Sequence, residues 1–275
     1  MVLDHRLILV IIFTVIIHMI ITLGYAVRLA GVRTQRLALA FSLWNVIFLV
    51  ASTANTVQAP FLGRIIDEAG TLIHKGNLNV TSAVEYDIRI IILAATLGSI
   101  IGTLLIPNFV RLFTKGIFLF ERVKSVPRMI GVMLRPKMLR KILAAITIPQ
   151  STSVKRLVRK RGVPKKLVVL NFLVTGIWTI GVLAALYAGL LDIKFVRTTA
   201  NMSGIINGVA TVMGVLLIDP HVASITDEAA RGKRSDEDVK LLSFYLAASR
   251  IAGTILAQVI FIPAAEIIVM AARVL

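Results

Sequence analysis

Five stretches of this 275-residue chain, residues 7–27, 37–63, 90–110, 167–191 and 198–218, contain no Asp, Glu, Lys or Arg. A sixth, 241–265, is interrupted only by Arg250. Crossing the hydrocarbon core of a bilayer takes about 20 mostly apolar residues, and each of these stretches is long enough. A soluble core of this size has no use for so much apolar sequence: 57% of residues are hydrophobic and 16% charged, with a mean hydropathy of +0.87. Backbone groups in lipid must be satisfied within the spanning segment. A closed barrel would show alternating strands in place of solid apolar runs. The expected fold is therefore all-α, with six transmembrane helices. The first run exceeds the apolar core of a cleaved signal peptide and five more follow it, so it reads as a span.

Charge then sets the orientation. Residues 111–166 hold 16 Lys plus Arg against one acidic residue, Glu121, so this connection between spans three and four carries +15 of the chain's +17. Basic residues accumulate in cytoplasmic loops, which places 111–166 inside and the N-terminus outside. The loop with Arg28, Arg33 and Arg36 then also lies inside, and the charge-balanced loop 64–89 outside. Within the basic segment, apolar residues recur near helical spacing among cations, broken by Pro127 and Pro136. That pattern fits amphipathic helices lying on an anionic membrane surface as well as a simple topology anchor. Nucleic acid is a poor partner for a basic patch beside membrane spans with few interleaved aromatics.

The chain also repeats itself. Tyr25-Ala26 followed by Val32-Arg33-Thr34 recurs as Tyr187-Ala188 followed by Val196-Arg197-Thr198. Pro60 and Asp67-Glu68-Ala69 recur as Pro220 and Asp227-Glu228-Ala229. Leu93-Ala94-Ala95 and Gly102-Thr103 recur as Leu246-Ala247-Ala248 and Gly253-Thr254. Three spans is an odd number, so two such units in one chain must be inverted relative to each other, an arrangement common among secondary transporters. The expected organisation is a first three-span repeat over 1–110, the basic cytoplasmic segment 111–166, and a second repeat over 167–275.

Signatures of chemistry are missing. There is no phosphate loop, no HExxH and no GxSxG, so neither ATP hydrolysis nor familiar hydrolytic catalysis is supported. With no cysteine, disulfides, thiol catalysis and thiolate metal sites are excluded. No catalytic residue, metal site or cofactor is expected. His18 stands alone in the first span and reads more readily as a packed hydrogen-bonding residue than as a ligand.

The informative residues are polar ones inside the spans, because their burial in lipid costs free energy. Arg250 lies ten residues into its run, roughly 15 Å along a helix, near the middle of the bilayer. It either binds an anionic headgroup or pairs with a carboxylate such as Asp219 or Glu266. Asn45, Asn55 and Gln58 on span two and Asn201 and Asn207 on span five are candidates for a polar pathway, together with Asp219; amide bonding between helices is the alternative. Arg28, Arg33 and Arg36 cluster before span two. Guanidinium groups there, near a helix start with its free N–H groups, suit a pyrophosphate, although positive-inside anchoring explains them too.

The stretch 18–69, HMIITLGYAVRLAGVRTQRLALAFSLWNVIFLVASTANTVQAPFLGRIIDEA, resembles the Amj family of bacterial alternate lipid II flippases. The RLAGVRT core at 28–34 and the asparagine-bearing span ending in Gln58-Ala59-Pro60 carry the match. The resemblance implies a multi-pass cell-membrane protein that is a transporter and not an enzyme. Its cargo would be lipid II, the undecaprenyl-pyrophosphate-linked disaccharide-pentapeptide, moved from the inner to the outer leaflet for peptidoglycan synthesis in place of the usual flippase MurJ. It assigns no site residues, so Arg28, Arg33, Arg36 and Arg250 as pyrophosphate ligands rest on the physical reading. Two alternatives stay open: a carrier for another polyprenyl-phosphate or anionic solute, and a membrane-embedded lipid-phosphate enzyme built on Asp219, His221, Asp227 and Glu228. Anionic membrane lipids are expected partners, and a homo-oligomer is left open.

Overall fold

The computed structural model describes residues 5–137, 140 and 162–275. The first half contains α1 (His5–Thr34), α2 (Leu37–His74), α3 (Asn79–Val123) and a short α4 (Val126–Met133). The second contains α5 (Lys165–Leu191), α6 (Val196–Met213), a π-helical turn (Gly214–Ile218), α7 (Asp219–Ala230) and α8 (Asp236–Val274). Among the described residues there is no strand. Among the described residues six helical segments are long and apolar enough to cross a membrane: α1, α2, α3, α5, the continuous stretch Ile193–Ala230, and α8. The all-α, six-span expectation is met.

Local chemistry explains the ends. The α1–α2 corner is two residues long, with Gln35 left-handed at φ 56° and the Arg36 N–H returning to the Gly31 carbonyl at 3.0 Å, which satisfies the last carbonyls of α1. After α2 the chain turns through Gly76 at φ 89°, and after α7 through Gly232 at φ 73°, backbone conformations that glycine adopts at no steric cost. Helix α8 starts with a reciprocal capping box between Ser235 and Asp238, and three acidic residues in its first turn face the positive end of the helix dipole.

Lipid tails are as apolar as leucine, so packing inside a membrane rests on close backbone approach. In the first half α1 and α3 run parallel and touch through glycine. A Cβ added at Gly98 would fall 2.4 Å from the Val15 carbonyl, and one at Gly102 would fall 2.7 Å from the Met19 carbonyl and 2.8 Å from the Thr22 Cβ. In the second half α5 and α8 run parallel in the same way, with a Cβ at Gly253 falling 2.6 Å from the Phe172 carbonyl and 2.7 Å from the Thr175 Cβ. Met19, Thr22 and Gly102 thus occupy the places of Phe172, Thr175 and Gly253. The Gly102-Thr103 and Gly253-Thr254 match belongs to this equivalence. The Tyr25-Ala26 and Tyr187-Ala188 match does not, because the same register sets Tyr25 level with Trp178. The remaining long helix of each half packs antiparallel on the first, α2 through Trp44 on Gly24 and α6 through Asn207 on Gly181. These two are the least buried of the spans.

The bundle differs at its two ends. Near the N-terminus of α1, residues from α1, α2, α3, α5 and α8 form one apolar core that includes Val10, Leu62, Ile91, Ala184 and Phe261. A polar latch reinforces it across the halves. The Arg89 side chain of α3 donates to the Gln258 carbonyl of α8 at 3.1 Å, and the Gln258 amide donates to the Arg89 carbonyl at 2.8 Å. Glu85 holds the same guanidinium at 2.9 Å, and the Tyr187 hydroxyl reaches Glu85 at 3.5 Å. At the opposite, basic end the core separates in two. One cluster joins Val27, Leu43, Val110 and Ile117; the other joins Leu167, Ile218, Val222 and Leu246. Helix α2 makes no extended packing with α6, the π turn or α7.

Helix α3 runs on to Val123, so the boundary expected at 110 falls inside a helix, and Arg111 and Lys115 ride on its extension beyond the apolar run. Pro127 opens α4, whose Ile130 and the following Leu134 are exposed apolar residues. The rest of the expected surface helices, including most of 138–161, lies outside the described residues.

A cavity lined by two arginines

Against the second of the two clusters at the basic end, from which Ile218, Val222 and Leu246 form part of its wall, lies a cavity of about 170 Å³, lined also by Tyr25, Arg28, Asn171, Trp178, Asp219 and Arg250. Its inner end is built from the middles of three spans. Arg250 of α8 is buried, at 6% exposure. One guanidinium nitrogen, Nη2, lies 3.4 Å from His18 Nδ1 on α1. The guanidinium carbon stands 5.8 Å from the Trp178 ring centroid on α5, within the range of a cation–π contact. The His18 and Trp178 rings are themselves 5.9 Å apart. A guanidinium can only donate, so a hydrogen bond here runs from Arg250 to His18 Nδ1. Among the described residues Arg250 has no carboxylate partner, and its Nε is buried without a hydrogen bond.

The outer rim of the cavity lies at the basic end of the spans, two to three helical turns away along α1. Arg28 Nη2 is 3.5 Å from Asp219 Oδ1, with side-chain exposures of 18% and 60% respectively, so Asp219 marks the mouth. The Arg28 guanidinium lies 5.7 Å from the Phe41 ring of α2, and its Nε is likewise buried without a partner. Asp219 is placed there by the π turn, which inserts an extra residue into the helical repeat and rotates the helix beyond it. Pro220, at the start of α7, has no N–H to continue the ladder.

Between the two cations sits an amide the sequence reading passed over. Asn171 of α5 donates to the Leu246 carbonyl at 3.0 Å and to Ser249 Oγ at 2.8 Å, and accepts from the Tyr25 hydroxyl at 3.3 Å. It ties α1, α5 and α8 together one residue from Arg250. The criterion that found Asn45 and Asn207, an amide in an uncharged run, applies equally to Asn171.

The structure brings together Arg28, Arg250 and Asp219, which the sequence places far apart. It separates the rest of the expected arginine cluster. Arg33 pairs with Asp236 at 3.0 Å and Arg36 with Glu121 at 2.5 Å, both on the exposed rim of the basic end. The proposed Arg250–Asp219 or Arg250–Glu266 pair does not form; Arg28 takes Asp219 instead. Gln58 accepts from Thr14 at 3.3 Å, as interhelical glue. Asn45, Asn55 and Asn201 are exposed, and Asn207 packs on Gly181 with its Oδ1 unpartnered. The groups an enzyme would need to converge do not: His221 turns to the Leu217 carbonyl, Asp227 pairs with Arg231, and Glu228 pairs with Arg234. No metal-binding cluster occurs among the described residues.

A six-span helical bundle with two arginines lining a cavity between its helices defines a polytopic membrane protein. The chain belongs to the family described as Amj, Alternate to MurJ, whose match covers residues 13–272. It is 41% identical over 254 residues to the lipid II flippase Amj of Bacillus subtilis (strain 168), an alignment covering 92% of this chain and 91% of that protein. No solved structure matches. The chain is a multi-pass protein of the cell membrane.

Proposed function

We propose that this chain is a lipid II flippase, moving the undecaprenyl-pyrophosphate-linked precursor from the inner to the outer leaflet of the cytoplasmic membrane, with Arg28 and Arg250 as its pyrophosphate ligands. The observation that carries the site is the pair of arginines in one cavity, each with a buried, unpartnered Nε. Two guanidiniums against the single carboxylate of Asp219 leave the cavity cationic, and a pyrophosphate supplies the missing charge in bidentate geometry. The gap between α2 and the α6–α7 segment lets a polyprenyl tail stay in lipid while the headgroup enters.

Alternating access supplies the mechanism. The core is divided at the basic end and continuous at the other, which fits a cytoplasm-facing state with the outer side closed by the apolar core and the Arg89–Gln258 latch. The matching glycine seams support reading 1–110 and 167–275 as inverted repeats whose exchange of packing opens the outer side. The basic segment 111–166 would rest on anionic lipid headgroups and hold the cytoplasmic side in register. Arg33 and Arg36, each already ion-paired, serve anchoring in this scheme.

The test is complementation of cells depleted of their lipid II flippase. The native chain restores growth, Arg28→Ala and Arg250→Ala fail at normal protein abundance, and Arg33→Ala retains activity. Full growth with both cavity arginines removed would overturn the site; failure of the native chain would overturn the function.

A further inference from the structure

The cation cavity explains how a phosphate group is held but not how the rest of a headgroup is recognised, and one face of α2 is unused by the fold. Phe41, Asn45, Phe48, Ser52 and Asn55 recur at alternating spacings of four and three residues, which sets them on one stripe of the helix. All five are exposed, Phe41 at 37% and Phe48 at 43%. A different stripe carries Val46, Val50, Thr53 and Val57, with Val50 and Val57 exposed at 56% and 43%; it has no amide, and a lone hydroxyl can return to a carbonyl one turn back in its own helix, as Thr56 does to Ser52, which suits lipid. The stripe holding two amides and a hydroxyl cannot face the same solvent, because polar groups without partners in hydrocarbon cost free energy. Its position is fixed by its first member: Phe41 is the ring against the Arg28 guanidinium. The stripe therefore starts at the mouth of the cavity and climbs toward the middle of the membrane along the same groove.

The opposite wall agrees. On α6 and the π turn, Gly204, Asn207, Thr211, Gly214 and Ile218 share a stripe by the same spacing, and Gly214 and Ile218 line the cavity. That wall offers the exposed Thr211 and two positions without side chains, while Asn207 packs its Oδ1 against Gly181 of α5. Asn201 falls on another face.

We propose that the Phe41–Asn55 face of α2 is a saccharide track, a specificity element distinct from the arginine cavity. Rings alternating with amides and a hydroxyl match the chemistry of an N-acetylated sugar, whose C–H faces stack on aromatics while its hydroxyl and amide groups hydrogen-bond. The proposal rests on the flippase reading: pyrophosphate held at Arg28 and Arg250 leaves the adjoining sugar against α2.

The two readings separate when the purified full chain is given two cargoes, lipid II and sugar-free undecaprenyl pyrophosphate, and binding of each is measured. Asn45→Ala/Ser52→Ala/Asn55→Ala removes up to three hydrogen bonds and should weaken lipid II binding about tenfold or more, leaving undecaprenyl pyrophosphate within about twofold. Phe48→Leu, away from Arg28, should show the same selectivity. Arg28→Ala weakens both cargoes. Equal loss for both cargoes in the α2 variants, or no loss for either, overturns the track. A changed oligomer size with unchanged cargo binding assigns the face to a second copy and overturns it as well. Arg28→Ala and Arg250→Ala binding both cargoes normally overturns the cavity reading, whatever α2 does.

Discussion

Replacing Arg250 with Met should make the protein more stable and inactive at once. A guanidinium at the centre of a span costs at least about 2.5–3.5 kcal/mol on insertion scales. In this fold the compensation is limited to the Trp178 ring at 5.8 Å and a hydrogen bond to His18 that is long at 3.4 Å. A cation–π contact returns about 0.5–2 kcal/mol, so before the long His18 hydrogen bond the resting protein carries a net penalty of about 0.5–3 kcal/mol at this position. Met matches the length of the stem, packs against Trp178 and needs no partner. For a chain of this size the relief corresponds to a rise of about 1–12 °C in the unfolding midpoint. The assay pairs thermal unfolding of the detergent-purified protein with growth of flippase-depleted cells. Arg250→Lys should fall between, restoring charge without the planar fork. Had Arg250 been a structural ion-pair member, Arg250→Met would be less stable than the native protein and rescued by neutralising a carboxylate such as Asp219 or Glu266. Either that pattern, or normal growth of stable Arg250→Met cells, would refute the argument.

Three further outcomes rest on the geometry. With no native cysteine, Lys75→Cys in intact cells should react with an impermeant external reagent while Lys124→Cys should not; the reverse would invert the topology. Gln258→Ala, which removes one arm of the outer latch, should speed external labelling of a cysteine placed at the fully buried Ala184, and unchanged protection would show that the latch does not hold that side shut. Gly102→Leu and Gly253→Leu should both sharply lower the amount of folded protein in the membrane, because the new side chain meets backbone carbonyls at 2.7 and 2.6 Å; tolerance of either would contradict the close seam.

The spans were legible because hydrocarbon thickness leaves a plain mark on composition, and runs such as 167–191 reappear as α5 almost to the residue. The boundary at 110 was not, since a helix continues past its apolar run as long as its polar face is solvated. Arg250 could be recognised from cost alone. Its company could not: His18, Trp178 and Asn171 are brought to it by the registers of α1 and α5 against α8, and register in a membrane depends on small-residue contacts such as Gly253 on Thr175, which carry little signal among apolar neighbours. Arg28 and Asp219 were each visible, but their pairing depends on a π turn that no pattern in Gly214–Ile218 announces. Arg33 and Arg36 looked equivalent to Arg28 because the chain sets them close; a helix separates them by azimuth and sends each to a different acid.

The glycine seams bear on movement. Where a backbone sits on a neighbour's carbonyl, as Gly98 does on Val15 and Gly253 on Phe172, neither helix can slide or roll without a steric collision, so α1 with α3 and α5 with α8 each behave as a single beam. Rearrangement is confined to the joints between the beams, and to α2 and α6, which are held on one side only. The machine this implies rocks on two rigid struts, with its loosely held outer helices serving as the hinged walls of the passage.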